Sequence, residues 1–288
     1  TCALPISQRV LARFPGAEII PLVRYQQVFG RPRQAFQVQK QNRKLILAVK
    51  PDDYLYPGSE RCQDFGFDNF FYTTPMLNCP HDCDYCYLQG LLPSANLVMF
   101  VNTADFLQAT AAQIAARRNR NQPLYVCISY DTDLLAVEPL AGYCREWIAF
   151  ADGRDDLVLE IRTKSAAYPA IADLPAVDNV ILAWTVSPNA VRQRYEHHTP
   201  PLAARLRAAA AAVDDGWPVR LCFDPVLALP DWREVYAALV DTVFAQVAAD
   251  RLRDVSIGSF RMAKVQFDRI RKDRPDCDLY HGNTVVDG

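Results

Sequence analysis

The 288-residue sequence lacks any apolar run approaching the ~20 residues that a membrane-crossing helix needs. It has no signal-peptide pattern at its start, so a cytoplasmic protein is expected. A Gly-rich phosphate loop, a serine–histidine arrangement and a helical His-Glu-x-x-His are all missing, which removes the familiar nucleotide-binding, hydrolase and zinc-protease signatures. Strong charge of one sign is missing too: the formal net charge is −2, which argues against a uniformly basic nucleic-acid coat. Disorder is excluded by an ordinary globular balance of 50% hydrophobic and 22% charged residues. The length suits one large core with a small appendage. The start at Thr1 and the abrupt stop at Gly288 suggest a fragment of a longer chain. Nine cysteines are present, an odd number in a chain that is not small, and three of them fall within eight residues. That pattern disfavours a disulfide framework and favours metal binding.

Positive charge is concentrated. From Ile19 to Pro51 there are seven basic residues (Arg24, Arg31, Arg33, Lys40, Arg43, Lys44, Lys50) and no acidic one, interleaved with Tyr25, Phe29, Phe36 and glutamines. A second stretch, Arg251 to Arg274, holds eight basic and three acidic residues. Cations beside stacking side chains suit a phosphate backbone and an unstacked base. The competing reading is a solvated, strand-rich face.

After Phe67 the chain becomes rhythmic. Strand-like runs lie at Phe70–Thr74, Leu124–Tyr130, Leu157–Thr163, Val180–Val186, Val219–Val226 and Val255–Ser259. Helical patterns lie between them: Thr103–Arg118 capped by Asn102 or Thr103, Pro200–Val213 stopped by Gly216, and Asp231–Val247 with Trp232, Val235, Tyr236, Leu239 and Val243 on one face. Six β–α units in sequence predict an α/β fold, either an open doubly wound sheet or a partial (β/α)6 TIM-like barrel. Alternation favours the barrel. Leu157, Leu159 and Ile161 alternate with Val158, Glu160, Arg162 and Lys164; Val219, Leu221 and Phe223 alternate with Arg220, Cys222 and Asp224; and Cys127 shares a face with Tyr125 and Ser129. A strand covered by helices on both sides is nearly all apolar, so an ionisable face implies a polar lumen. The expected organisation is an N-terminal extension over residues 1–66, a partial barrel over 67–279, and the start of a further segment at 280–288.

The strongest motif is Cys79-Pro-His-Asp-Cys83-Asp-Tyr-Cys86, placed after the first strand. Structural zinc takes four ligands, usually as two pairs, and no second pair follows; His81, between two ligands in a tight loop, would strain such a site. A four-iron cluster normally takes four thiolates, so three leave one iron open. Cys62 is the nearest candidate for a remote fourth ligand of a purely structural cluster. The adjacent His197 and His198 point apart and are expected to be solvated or capping.

The Cys-x3-Cys-x2-Cys spacing resembles that of the radical S-adenosylmethionine (SAM) superfamily. The resemblance implies a 4Fe–4S cluster on Cys79, Cys83 and Cys86, with SAM chelating the open iron and yielding a 5′-deoxyadenosyl radical. From about Lys44 to Leu279 the chain further resembles the spore photoproduct lyase family. Tyr85 and Tyr87 flank the third cysteine, followed by Leu88-Gln89. Val101-Asn102, Thr163-Lys164, Glu196-x-x-Thr199 with Pro201-Leu202, Trp232 with Tyr236, and Arg261 with Lys264 continue the series. This resemblance implies reversal of a methylene-bridged thymine dimer in DNA, with the lesion extruded from the stack. It places Tyr87, Lys164 and Thr185 at SAM-contacting positions, Tyr85 as a hydrogen relay and Arg261 facing the lesion or a phosphate. An electron donor such as flavodoxin or ferredoxin is implied as partner. Tyr85 and Tyr87 as packing residues, and Lys164 as a strand-end ion pair, are the competing readings.

The chain departs from this family at one position. The family's hydrogen-returning cysteine follows a serine and precedes an aspartate by three; with Ser129 and Asp133 as anchors, Tyr130 stands there. Either Tyr130 or Cys127, one step deeper on the inward face, is then the expected hydrogen donor. The family also continues into a DNA-contacting C-terminal hairpin, of which Tyr280-His281-Gly282-Asn283 is read as the beginning. The alternatives are a radical SAM enzyme with another nucleic-acid or small-molecule substrate, or a non-enzymatic nucleic-acid-binding Fe–S protein.

Overall fold

The computed structural model describes residues 1–59 and 63–282. Cys62 and Asn283 lie outside the described residues. Six parallel strands form an open sheet in chain order: β1 (Phe70–Thr73), β2 (Leu124–Cys127), β3 (Leu157–Thr163), β4 (Val180–Thr185), β5 (Val219–Val226) and β6 (Asp254–Ser259). A short antiparallel strand, Leu55–Pro57, extends the β1 edge, and among the described residues the sheet does not close on itself. This is the expected partial (β/α)6 arrangement. β2 is shorter than the apolar run suggested, ending at Cys127 and leaving Ser129 and Tyr130 in the loop above it.

Helices Thr103–Ala116, Leu134–Ala141 with Tyr143–Ala151, Leu202–Asp214 and Trp232–Phe244 supply the crossovers. Two connections differ from a regular repeat. Between β3 and β4 there is only a 3-10 turn, Tyr168–Ala170. The helix after β6, Lys264–Asp273, packs against the short helix Leu88–Leu91 that follows the third cysteine. Trp232 is also displaced from the expected buried face: it is exposed, while Tyr236, Leu239 and Val243 are buried.

Alternation along the strands divides the interior in two. Leu157, Leu159, Ile161, Val219 and Leu221 join the large apolar core under the helices. Val158, Tyr125, Cys127 and Phe70 form a separate cluster on the lumen side. Deeper in the lumen, the Arg220 guanidinium donates to Glu160 Oε2 at 2.5 Å and to Tyr125 Oη at 2.8 Å, and the Phe65 ring lies 3.6 Å from its central carbon. An ion pair this dry is tolerated because each charge has a second partner: Arg162 donates to Glu160 Oε1 at 3.0 Å, and Asp254 Oδ2 accepts from Arg220 at 2.8 Å.

The first basic stretch is not strand-rich. It holds the helices Gln26–Phe29 and Phe36–Lys40, and only Leu45–Ala48 is a strand. That strand pairs in parallel with Leu97–Phe100, which pairs antiparallel with Met76–Leu77. Asn102 stands at the N-cap of Thr103–Ala116, but its side chain is committed elsewhere. It accepts from Lys50 N at 3.0 Å and donates to Lys50 O at 2.9 Å, holding the end of this small sheet.

Candidate active site

A cavity of about 400 Å³ opens at the C-terminal ends of the strands. There a parallel barrel gathers side chains from successive loops. Every site residue named from the sequence lines it: Cys79, Cys83 and Cys86 with Tyr85 and Tyr87 from the loop after β1, Cys127 and Tyr130 from β2 and its loop, Lys164 and Thr185 from the ends of β3 and β4, and Arg261 at the rim. Among the described residues, no helix is long and apolar enough to cross a membrane.

The cysteine loop is shaped by a two-residue antiparallel pairing of Asp82–Cys83 with Glu196–His197. This pairing sets Glu196 beside Cys83. Glu196 is fully buried and receives hydrogen bonds from Tyr85 Oη, from Ser187 Oγ at 2.6 Å and from the Arg205 guanidinium. Burial opposes its charge, but Lys164 and Arg205 hold its carboxyl down at about 2. Burial likewise works against the Lys164 ammonium, yet Cys83 and Glu196 raise it above its ordinary value. Lys164 Nζ stands 5.5 Å from the centre of the Tyr85 ring.

Burial also suppresses ionisation of the three thiols. Burial pushes Cys83 up to about 12, Cys79 well above its ordinary value and Cys86 above it. Asp133 raises Cys79 further, followed by Cys86 and Cys83. Thiolates are what a metal binds, so loading such a site would release protons from these cysteines. No group of three or more His, Cys, Asp or Glu among the described residues is placed to hold a single metal ion as it stands. The donor set, three soft sulfurs on one wall of a cavity, fits iron–sulfur chemistry. His81 is not offered to such a group: Nδ1 is 2.9 Å from His198 O and Nε2 is 3.2 Å from Asp133 Oδ2. His197, expected to be solvated or capping, has Nε2 3.2 Å from Asp84 Oδ2, while His198 is exposed.

The loop after β2 is anchored at both ends. Ser129 Oγ accepts from Arg162 N at 2.8 Å. Asp133 caps the helix Leu134–Ala141 by accepting from Ala136 N at 3.0 Å, and it also accepts from Thr163 Oγ1 and from Lys164 N at 2.7 Å. Between these anchors, Tyr130 turns to the cavity and stacks on Tyr72 with ring centres 4.2 Å apart. Tyr87 Oη donates to Tyr130 O at 3.0 Å and to Asp131 Oδ1 at 2.8 Å. Cys127 lies below, its thiol raised well above ordinary by burial and then by Glu160. Cys222 is buried beside Arg162, inside the lumen wall as its parity required.

Sequence reasoning assigned no role to Arg205, Ser187 or Gln89, which organise the layer behind the cavity. Arg205 lies within an alanine-rich helix where its charge looks like surface. Glu196 was visible only as a member of a spaced motif.

A family model for spore photoproduct lyase matches residues 70–282. A curated spore photoproduct lyase from Geobacillus sp. (strain Y412MC61) is 23% identical over 258 residues, covering 88% of this chain and 73% of the relative. A solved cysteine-to-alanine variant of spore photoproduct lyase with dinucleoside spore photoproduct has a TM-score of 0.83 at 18% identity, over 96% of this chain and 80% of that one. A double variant with bound AdoMet and the same dinucleoside has a TM-score of 0.79 at 19% identity, over 96% and 81% of the two chains. These structural likenesses establish the fold as the partial TIM-like barrel of spore photoproduct lyase.

Proposed function

Because this chain belongs to the spore photoproduct lyase family, we propose that it is a radical SAM lyase that reverses a thymine photolesion in DNA. One observation carries this reading: one buried and two half-buried cysteines, a half-buried lysine and two candidate hydrogen donors converge on a single cavity.

In this reading Cys79, Cys83 and Cys86 hold a 4Fe–4S cluster, and Tyr87, Lys164 and Thr185 contact SAM. Bound there, the two supply the one-electron chemistry that removes a hydrogen atom from the lesion. The protein's own residues do the rest. Lys164, held charged by Cys83 as the thiolate a metal would bind and by Glu196, would offer a fixed cation to the carboxylate of SAM. Tyr85, tied to Glu196, keeps its ring beneath that cation and stands at the hydrogen-relay position. The apolar lumen cluster around Phe70 and Tyr125 limits water around the reacting atoms. Once the bridging carbon–carbon bond of the lesion has broken, leaving a radical on the methylene carbon, a hydrogen atom leaves the Tyr130 hydroxyl or the Cys127 thiol and forms a C–H bond of the restored thymine methyl group. The donor is then reset by an electron and a proton. Arg261, exposed at the rim, faces the lesion or its phosphate. A thymine lesion reaches the cavity by leaving the base stack. DNA and a flavodoxin- or ferredoxin-type electron donor are the partners of this reading, and the cytoplasm is its compartment.

Anaerobic reconstitution with iron and sulfide, followed by reduction in the presence of SAM, tests the catalytic part. The protein is expected to release 5′-deoxyadenosine, and a Cys79→Ala, Cys83→Ala, Cys86→Ala variant none. Iron uptake without any SAM cleavage would leave a structural cluster instead.

A further inference from the structure

One largely buried cation from each basic stretch meets the other on the cysteine loop rather than on an open face. Lys40 closes the helix Phe36–Lys40, and Arg274 follows the helix Lys264–Asp273. Their side chains are only 10% and 15% exposed. Arg274 donates to Asp82 Oδ1 at 2.8 Å, to Asp84 Oδ1 at 2.5 Å and to Gln89 Oε1 at 2.7 Å. Lys40 reaches the same Asp82 oxygen, and Gln89 Oε1 at 3.0 Å. Gln89 completes the link by donating to Cys83 O at 2.8 Å. Gly90 permits the close approach: a Cβ there would stand 2.7 Å from the backbone of Gln266, on the helix that leads to Arg274.

We propose that Lys40 and Arg274 form a clasp, closed from opposite ends of the chain, that retains an iron–sulfur cluster on the loop and makes its reduction easier. Asp82 and Asp84 flank Cys83, so two carboxylates stand next to a cluster ligand. Unopposed, their negative charge would disfavour adding an electron; the two cations offset it. Partners one layer behind metal ligands also fix ligand geometry, and their loss typically weakens metal retention by ~10–100-fold. The clasp rests on the cluster reading above and is independent of the DNA lesion. Both residues act as positioning residues.

The test uses the whole chain reconstituted anaerobically with iron and sulfide, as wild type, Arg274→Gln, Arg274→Lys and Lys40→Met. Iron release to a ferrous chelator and the cluster's midpoint potential by electron paramagnetic resonance are measured. Arg274→Gln and Lys40→Met are expected to release iron roughly tenfold faster or more, with the potential shifted negative. Arg274→Lys, which keeps the charge but not the fork of donors, should return the potential toward wild type while still losing iron faster. Wild-type release and potential in both charge-removing variants would overturn the clasp. Should Arg274→Gln fail to fold, Lys40→Met decides alone. A wild-type protein that acquires no cluster would refute the cluster reading and the clasp with it, whereas a normal wild-type cluster with unaltered variants refutes the clasp only.

Discussion

Tyr85 donates its phenolic hydrogen to Oε1 of Glu196, joining the cysteine loop to a carboxylate 111 residues further along the chain. The bond explains how a loop with so little regular structure holds a defined shape. Glu196 is neutralised by Arg205 and Lys164 and hydrogen-bonded by Ser187, so Tyr85 is tied to a fixed point.

This arrangement has a pH signature. Glu196 titrates at about 2 in the folded protein against an ordinary 4.5. A carboxyl more acidic folded than unfolded stabilises the fold above its unfolded value, and that contribution disappears as pH falls through the folded value. Denaturant unfolding of the metal-free protein should therefore show a loss of about 3 kcal/mol between pH 4.5 and pH 2 from this group. Glu196→Gln should flatten that segment of the profile.

The lumen pair offers a second stability test. Arg220→Met leaves buried Glu160 with Arg162 as its one remaining cation, and unfolding should show a cost of about 3 kcal/mol, the low end for breaking a buried pair. Adding Glu160→Gln should recover part of the loss, because the buried carboxylate that lost a partner is gone. Losses that simply add would mean the two side chains act independently.

The hydrogen donor is decided by two single changes. Tyr130→Phe and Cys127→Ala each remove one transferable hydrogen while leaving the loop anchors at Ser129 and Asp133 in place. Loss of restored thymine in one variant, with SAM cleavage retained, identifies the donor. Retention in both would remove Tyr130 and Cys127 from the mechanism.

Much of this was legible in the sequence because local rules governed it. Alternation in β3 and β5 separated the helix face from the lumen face, and it turned Cys127 and Cys222 inward as the structure does. The cysteine spacing located the cavity wall. What remained hidden depended on contacts distant in sequence. Lys40 and Arg274 read as members of nucleic-acid-facing basic runs, yet their partners are Asp82, Asp84 and Gln89, and no local pattern announces a charge paired across 192 residues. Trp232 falls outside the core as the first residue of its helix, one turn before buried Tyr236. The missing crossover helix between β3 and β4 leaves no signal beyond the brevity of that segment.

The most direct test of the central claim is lesion reversal by the reconstituted protein. Anaerobic protein, with its cluster, SAM and a reductant, is incubated with the methylene-bridged thymine dinucleoside, and restored thymidine is quantified beside 5′-deoxyadenosine. The account predicts that both products form and that thymidine is absent with the triple cysteine variant. Formation of 5′-deoxyadenosine with the lesion left intact would contradict it.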